Sequence, residues 1–301
     1  MNLETRLGPL VLQNPVILAS GTCGYGREMV PFLDLDRVGA ITLKGLSVMP
    51  WEGNPPPRIH ETAAGVMNSI GLENKGFHRF VQDDLSWLET VHTRVIANVW
   101  GRTEEEYIGI ARLMDRLERI DAVEVNVSCP NVEKGGESFA TNCRVLHQLI
   151  GAIRRVVQKT LLVKIGPTVA ELEKTLKFME REGVDGLSVT NTFPALAVDS
   201  ERQCLVFERK VAGLSGPAIK PLALKLVYDV RHLTHLPIIG MGGIMKTEDA
   251  LEFLLIGASA IAVGTANLVD PAVALEIVPG IESYLVAHGM NRLDDLIGKV
   301  R

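Results

Sequence analysis

Eight short apolar runs recur along the chain, at residues 16–19, 40–44, 95–99, 122–127, 161–165, 186–190, 237–240 and 260–263, and most are followed by a helix-like segment. Runs that are apolar on both faces imply parallel strands buried between other layers. Eight such units in succession predict an α/β fold, a (β/α)8 barrel of the TIM type. The 301 residues suit one barrel of about 250 residues plus insertions, so residues 1–301 are read as a single domain. Aromatics are only 5% of the chain, which fits a barrel lined with Val, Ile and Leu better than a sandwich. Residues 3–12, with Gly8-Pro9 at their centre, predict an N-terminal β-hairpin that plugs the barrel bottom. Residues 46–94 form a long inserted segment after the second strand, and such insertions usually carry function.

In this architecture active sites are built at the carboxyl ends of the strands. The fourth run closes on Ser128-Cys129-Pro130, because proline has no N–H and biases the residue before it away from helix. The Cys129 thiol is therefore expected at a strand end, on a segment that turns pliable at Gly135-Gly136. A free cysteine also packs well as a small buried hydrophobe. Asn126 and Asn131 favour the functional reading, since amides beside a thiol suit a planar ligand with carbonyl and N–H edges. Other strand ends are similarly polar: Lys44-Gly45, Asn98, Lys164 and Thr190-Asn191-Thr192. Within the insertion, the prolines 55–57 read as a stiff rim, and residues 68–72 (Asn-Ser-Ile-Gly-Leu) as a candidate ligand loop.

Glycines mark the remaining strand ends. Ser20-Gly21-Thr22-Cys23-Gly24 follows the first, Gly240-Met241-Gly242-Gly243 the seventh and Gly264-Thr265 the eighth, while 213–217 is read as opening the seventh helix. Glycines after strands seven and eight are the usual phosphate cradle of these barrels. The 240–243 motif lacks the spacing of a dinucleotide fingerprint and lies late in the chain. A phosphate cradle with a strand-end lysine fits flavin mononucleotide, with Lys164 stabilising negative charge on the reduced ring.

Several classes are disfavoured. The net charge of −5, without a basic run, argues against nucleic acid as a partner. The four cysteines (23, 129, 143 and 204) form no CxxC pair, which argues against an iron–sulfur cluster or structural zinc and suits a reducing cytoplasm. No glycosidase-like carboxylate dyad is visible among the strand ends. His232 and His235 follow a helix and read as surface residues, so no metal is expected. The opening MNLETRLGPL resembles neither a signal peptide nor an anchor, and no apolar run approaches the roughly 20 residues that span a bilayer.

Taken together, Asn-Val-Ser-Cys-Pro-Asn at 126–131, Asn-Ser-Ile-Gly-Leu at 68–72, Leu-Ser-Gly-Pro-Ala-Ile-Lys-Pro at 214–221, Gly-Met-Gly-Gly-Ile at 240–244 and Val-Gly-Thr-Ala-Asn at 263–267 resemble the catalytic subunit of the NAD-linked, class 1B dihydroorotate dehydrogenases over nearly the whole chain. The resemblance implies oxidation of dihydroorotate to orotate in pyrimidine biosynthesis, with Cys129 as the base that deprotonates carbon 5 and FMN as hydride acceptor. It implies that Lys44, Asn68, Ser69, Ile70, Gly71, Leu72, Asn126, Asn191 and Thr192 hold the substrate. It implies that Ser20, Lys44, Gly45, Asn98, Asn126, Lys164, Thr190, Gly216, Gly242, Gly243, Gly264 and Thr265 hold the FMN. Electrons would pass to NAD through a separate subunit carrying FAD and a 2Fe–2S cluster, in a heterotetramer built on a dimer of this chain.

The chain departs from the usual pattern at Asn74-Lys75-Gly76, at residues 193–196 and at Ala212. Three rivals share the fold: a fumarate-linked class 1A enzyme, a flavin enzyme acting on RNA uracils, and a subunit without activity. The run Val132-Glu133-Lys134-Gly135-Gly136 favours the NAD-linked type, the charge counts against RNA, and the presence of Cys129, Lys44 and Lys164 counts against inactivity.

Overall fold

The computed structural model describes residues 1–127 and 142–300. Its strands are β1 (Thr5–Leu7), β2 (Leu10–Leu12), β3 (Val16–Leu18), β4 (Ala40–Thr42), β5 (Ile59–Thr62), β6 (Gly65–Asn68), β7 (Arg94–Val99), β8 (Ala122–Asn126), β9 (Thr160–Ile165), β10 (Gly186–Val189), β11 (Phe193–Ala195), β12 (Val198–Asp199), β13 (Cys204–Leu205), β14 (Ala212–Ser215), β15 (Ile238–Met241) and β16 (Ala260–Val263). Strands β3, β4, β7, β8, β9, β10, β15 and β16 close into a parallel barrel in that order. The eight apolar runs are thus the eight barrel strands.

Alternation along each strand builds two cores. Ile17, Ala40, Ile96, Ala122, Leu162, Ile239 and Ala260 fill the barrel interior. Val16, Leu18, Ile41, Val95, Ala97, Val123, Leu161 and Val163 turn outward into the layer of helices. Those helices include Glu104–Asp115, Cys143–Arg154, Leu172–Arg181, Lys220–Leu233, Thr247–Leu255 and Val273–Ala287. Their starts are legible locally: Thr103 Oγ1 accepts from Glu106 N at 3.2 Å, and Asn142 Oδ1 from Val145 N at 3.2 Å.

The expected hairpin is present, with β1 paired antiparallel to β2. Leu7, Leu10 and Leu12 join the interior cluster from below. Burying each leucine contributes about 1.5–3 kcal/mol, so the plug is part of the barrel core.

One feature differs from the sequence reading. Residues 213–217 do not open the seventh helix: Ala212–Ser215 is a strand, and the helix that follows, Lys220–Leu233, precedes β15 and is the barrel's sixth. Strand β14 joins β11, β6 and β5 in a four-stranded antiparallel sheet, with Gly213 opposite Asn68, Leu214 opposite Met67 and Ser215 opposite Val66. This sheet is shared by the insertion after β4 and a second one after β10. It covers a small core of Met67, Ala197, Phe207 and Ala212. The departure at Ala212 is accommodated there as a buried strand residue opposite Ala195. The departure at 193–196 supplies β11, and the one at 74–76 forms a turn in which Asn74 Oδ1 accepts from Gly76 N at 2.9 Å.

Candidate active site

Between the strand ends and the four-stranded sheet lies a cavity of about 620 Å³, within the usual range for small-molecule sites of about 300–1,000 Å³. Every barrel strand contributes to it: Ser20 after β3, Lys44 and Gly45 after β4, Asn98 on β7, Asn126 on β8, Lys164 on β9, Thr190 to Thr192 after β10, Gly242 and Gly243 after β15, and Gly264 and Thr265 after β16. The insertions add residues 68–72 and Gly216. Each of the substrate and FMN candidates named from the sequence therefore lines one cavity. Cys129, with Asn131 and Gly135-Gly136, lies outside the described residues.

The floor is a polar layer above the apolar plug. In register, Asn98 stands opposite Glu124, Asn126 opposite Lys164 and Lys164 opposite Ser188. Asn98 and Glu124 are each 1% exposed, and Lys164 is 7% exposed. Asn98 Nδ2 donates to Glu124 Oε1 at 2.6 Å, and the Ser188 hydroxyl bonds Glu124 Oε2. Asn191 Nδ2 donates to Asn126 Oδ1 at 3.3 Å, and Thr192 N to Asn191 Oδ1 at 2.8 Å. These bonds fix the amide groups before any ligand arrives, which lowers the ordering cost of binding.

The loop 68–72 is tied on both sides. Asn68 Nδ2 donates to Gly213 O at 3.2 Å, Ser69 N to Arg58 O at 2.8 Å, and Asn54 Nδ2 to Ser69 Oγ at 3.1 Å. Trp51 Nε1 donates to Gly71 O at 3.0 Å. Gly71 has φ +71°, and a Cβ there would lie 2.5 Å from the Asn54 side chain, so only glycine fits. The proline-rich rim is held by Arg58, which donates to Asn54 O at 2.5 Å and Glu52 O at 2.7 Å.

At the opposite end, backbone approaches backbone. A Cβ on Gly216 would lie 2.8 Å from Gly65 Cα, and one on Gly243 would lie 2.9 Å from Gly216 O. Thr265 Oγ1 donates to Ser215 Oγ at 2.9 Å. By contrast, a Cβ on Gly264 would meet only Ala19 Cβ, at 3.8 Å, so the space beside this residue is open. Crowded glycines around an open niche, near the start of the helix Lys220–Leu233, suit a phosphate group. This end of the cavity fits a flavin mononucleotide tail.

The other motif cysteine is chemically quiet. Cys23 is buried, and its Sγ contacts Thr42 O at 3.2 Å. Burial, reinforced by the Glu28 charge, pushes its thiol from 9.0 up to about 12. His232 and His235 are exposed, and among the described residues no cluster of His, Cys, Asp and Glu could hold a metal. Among those residues, too, no helix is long and apolar enough to cross a membrane. Sequence reasoning missed Glu124, Asn54 and Glu73. Glu124 had a signal, a lone carboxylate inside an otherwise apolar strand.

The family described as dihydroorotate dehydrogenase matches residues 2–285. Among curated proteins, the chain is 43% identical over 301 residues to the "Dihydroorotate dehydrogenase B (NAD(+)), catalytic subunit" of Thermoanaerobacter pseudethanolicus, covering 100% of this chain and 99% of that one. It is 44% identical over 298 residues to the protein of the same description from Porphyromonas gingivalis, covering 99% and 97%. Among solved structures, the dihydroorotate dehydrogenase of Eimeria tenella in complex with ferulenol superposes with a TM-score of 0.79 at 24% identity, covering 99% of this chain and 88% of that one. That likeness concerns the fold.

Proposed function

The chain belongs to the dihydroorotate dehydrogenase family, and from that membership we propose that it is the catalytic subunit of an NAD-linked enzyme that oxidises dihydroorotate to orotate in pyrimidine (UMP) biosynthesis. The observation that carries this reading is the convergence, in one cavity, of Lys44, three strand-end or loop amides and a glycine niche. The fumarate-linked and RNA-acting alternatives are not favoured, because full-length relatives at 43–44% identity share the NAD-linked description.

Lys44 pairs with the substrate carboxylate as a point charge. Asn68, Asn126 and Asn191 read the carbonyl and N–H edges of the pyrimidine ring, with Thr192 and residues 69–72 shaping its seat. Cys129, three residues beyond Asn126 in the chain, takes the carbon 5 proton at its thiolate sulfur. The barrel, residues 1–301, is one FMN domain: Ser20, Lys44, Gly45, Asn98, Asn126, Lys164, Thr190, Gly216, Gly242, Gly243, Gly264 and Thr265 would hold FMN. When bound, FMN supplies the hydride acceptor. Lys164, buried at the floor, would supply positive charge that offsets negative charge on the bound cofactor.

The word "subunit" in the relatives' descriptions supports a partner chain. We assign to that partner an FAD and a 2Fe–2S cluster, in a cytoplasmic heterotetramer whose core is a dimer of this chain. Anaerobic titration of the purified protein with dihydroorotate should bleach its flavin absorption, and co-purified partner should confer NAD reduction. Isolation of this chain alone, active with fumarate and inert with NAD, would refute the NAD-linked assignment.

A further inference from the structure

Glu124 is a carboxylate that the proposed chemistry does not use, yet it sits 1% exposed in the barrel interior. Among the described residues no cation lies within ion-pair distance of it; its bonded partners are the Asn98 amide at 2.6 Å and the Ser188 hydroxyl. Burying a carboxylate on neutral donors costs free energy that an apolar side chain would not, so its place behind the cavity-lining Asn98 calls for a function.

The geometry points to a positioning role: we propose that Glu124 locks the side-chain amide of Asn98 so that its carbonyl oxygen, and not its NH2, is presented to the flavin end of the cavity. This deepens the FMN reading above and rests on it. Both Glu124 carboxyl oxygens accept, one from Asn98 Nδ2 and the other from the Ser188 hydroxyl, so the Asn98 group that meets Glu124 is the amide NH2. Oδ1 is then turned the other way. It lies 2.8 Å from where a Cβ on Gly45 would stand, and Asn98 and Gly45 both line the cavity. The glycine leaves room for that oxygen, and the carboxylate holds it there. The floor thereby offers a fixed acceptor to a ligand N–H. An unlocked amide would present donor and acceptor interchangeably.

The test is an exchange of donor and acceptor roles. Apoprotein is titrated with FMN by fluorescence quenching, the bound flavin's visible band is recorded, and folding is followed by circular dichroism. E124Q keeps the shape but offers Asn98 a donor as well as an acceptor, so the amide orientation is no longer locked, and should raise the FMN Kd roughly tenfold and shift the band. N98D places two carboxylates together and should weaken binding by more than about 100-fold. N98D/E124Q restores a complementary pair with an oxygen still facing the ligand, and should recover at least about tenfold over N98D. Unchanged affinity and band in E124Q, or a double variant no better than N98D, overturns the proposal while leaving the FMN site intact. A wild-type chain that takes up no FMN overturns the site reading itself. Should E124Q fail to fold, the comparison of N98D with the double variant decides.

Discussion

Lys44 Nζ stands 3.5 Å from Glu73 Oε2 at the edge of the cavity, with both side chains partly exposed. The lysine assigned to the substrate carboxylate is therefore already shared with a protein carboxylate. A charge-assisted bond to an ionised ligand contributes about 1.5–3 kcal/mol, whereas an exposed ion pair contributes at most about 1 kcal/mol. The substrate should win this competition. Lys44→Ala is expected to raise KM for dihydroorotate roughly 10- to 100-fold. Glu73→Gln should lower KM about two- to fivefold in dilute buffer, an advantage that fades at high salt. Steady-state kinetics at two ionic strengths checks both.

Cys129 is expected to act as a base and not as a structural residue. Cys129→Ala should yield a folded yellow protein whose dihydroorotate oxidation falls about 10²- to 10⁴-fold. Turnover and flavin content measured on the same sample separate the two roles, and undiminished turnover would remove Cys129 from the mechanism.

Two glycines of the niche assigned above to FMN should respond differently to the same methyl group. Gly243 has φ +77°, and its Cβ would lie 2.7 Å from Lys220 Cβ, so Gly243→Ala should lower Tm. Gly264 has room for a Cβ, so Gly264→Ala should keep its Tm within about 2 °C and still lose FMN affinity roughly tenfold, because the methyl occupies the niche. Thermal melts of apoprotein alongside FMN titration distinguish these outcomes.

Cys23 gives a pH dependence of known sign. Burial raises its thiol from 9.0 to about 12, so below pH 9 the thiol is protonated both folded and unfolded. Between pH 9 and about 12 the unfolded chain releases this proton and the folded chain keeps it. Stability should fall across that window, by up to about 1.4 kcal/mol per pH unit from this group. Cys23→Ala should flatten the fall in Tm above pH 9, and in the native protein Cys23 should resist thiol reagents at pH 8.

The barrel was legible because its strands are buried on both faces. Such strands leave nearly continuous apolar runs, and β16 spans residues 260–263, the bounds read from the sequence. The strand-end lysines and amides were legible for the same reason, since each interrupts or ends such a run. The four-stranded sheet was not. β5 is exposed along its length and β14 carries a glycine, and what makes them strands is a partner far away in the chain. Glu124 was not legible in the same way, because its meaning depends on Asn98 on the neighbouring β7 and on Ser188 on β10, two strands away.

The pairing of β14 with β6 has a consequence for anyone building chimaeras. Asn68 reaches Gly213 O and Ser215 Oγ reaches Val66 O, so two excursions 145 residues apart share one ladder. Transplanting residues 46–93 alone from a relative would present a foreign edge to a resident strand. Moving 46–93 together with 193–216 carries both halves of the seam, and is the graft expected to fold.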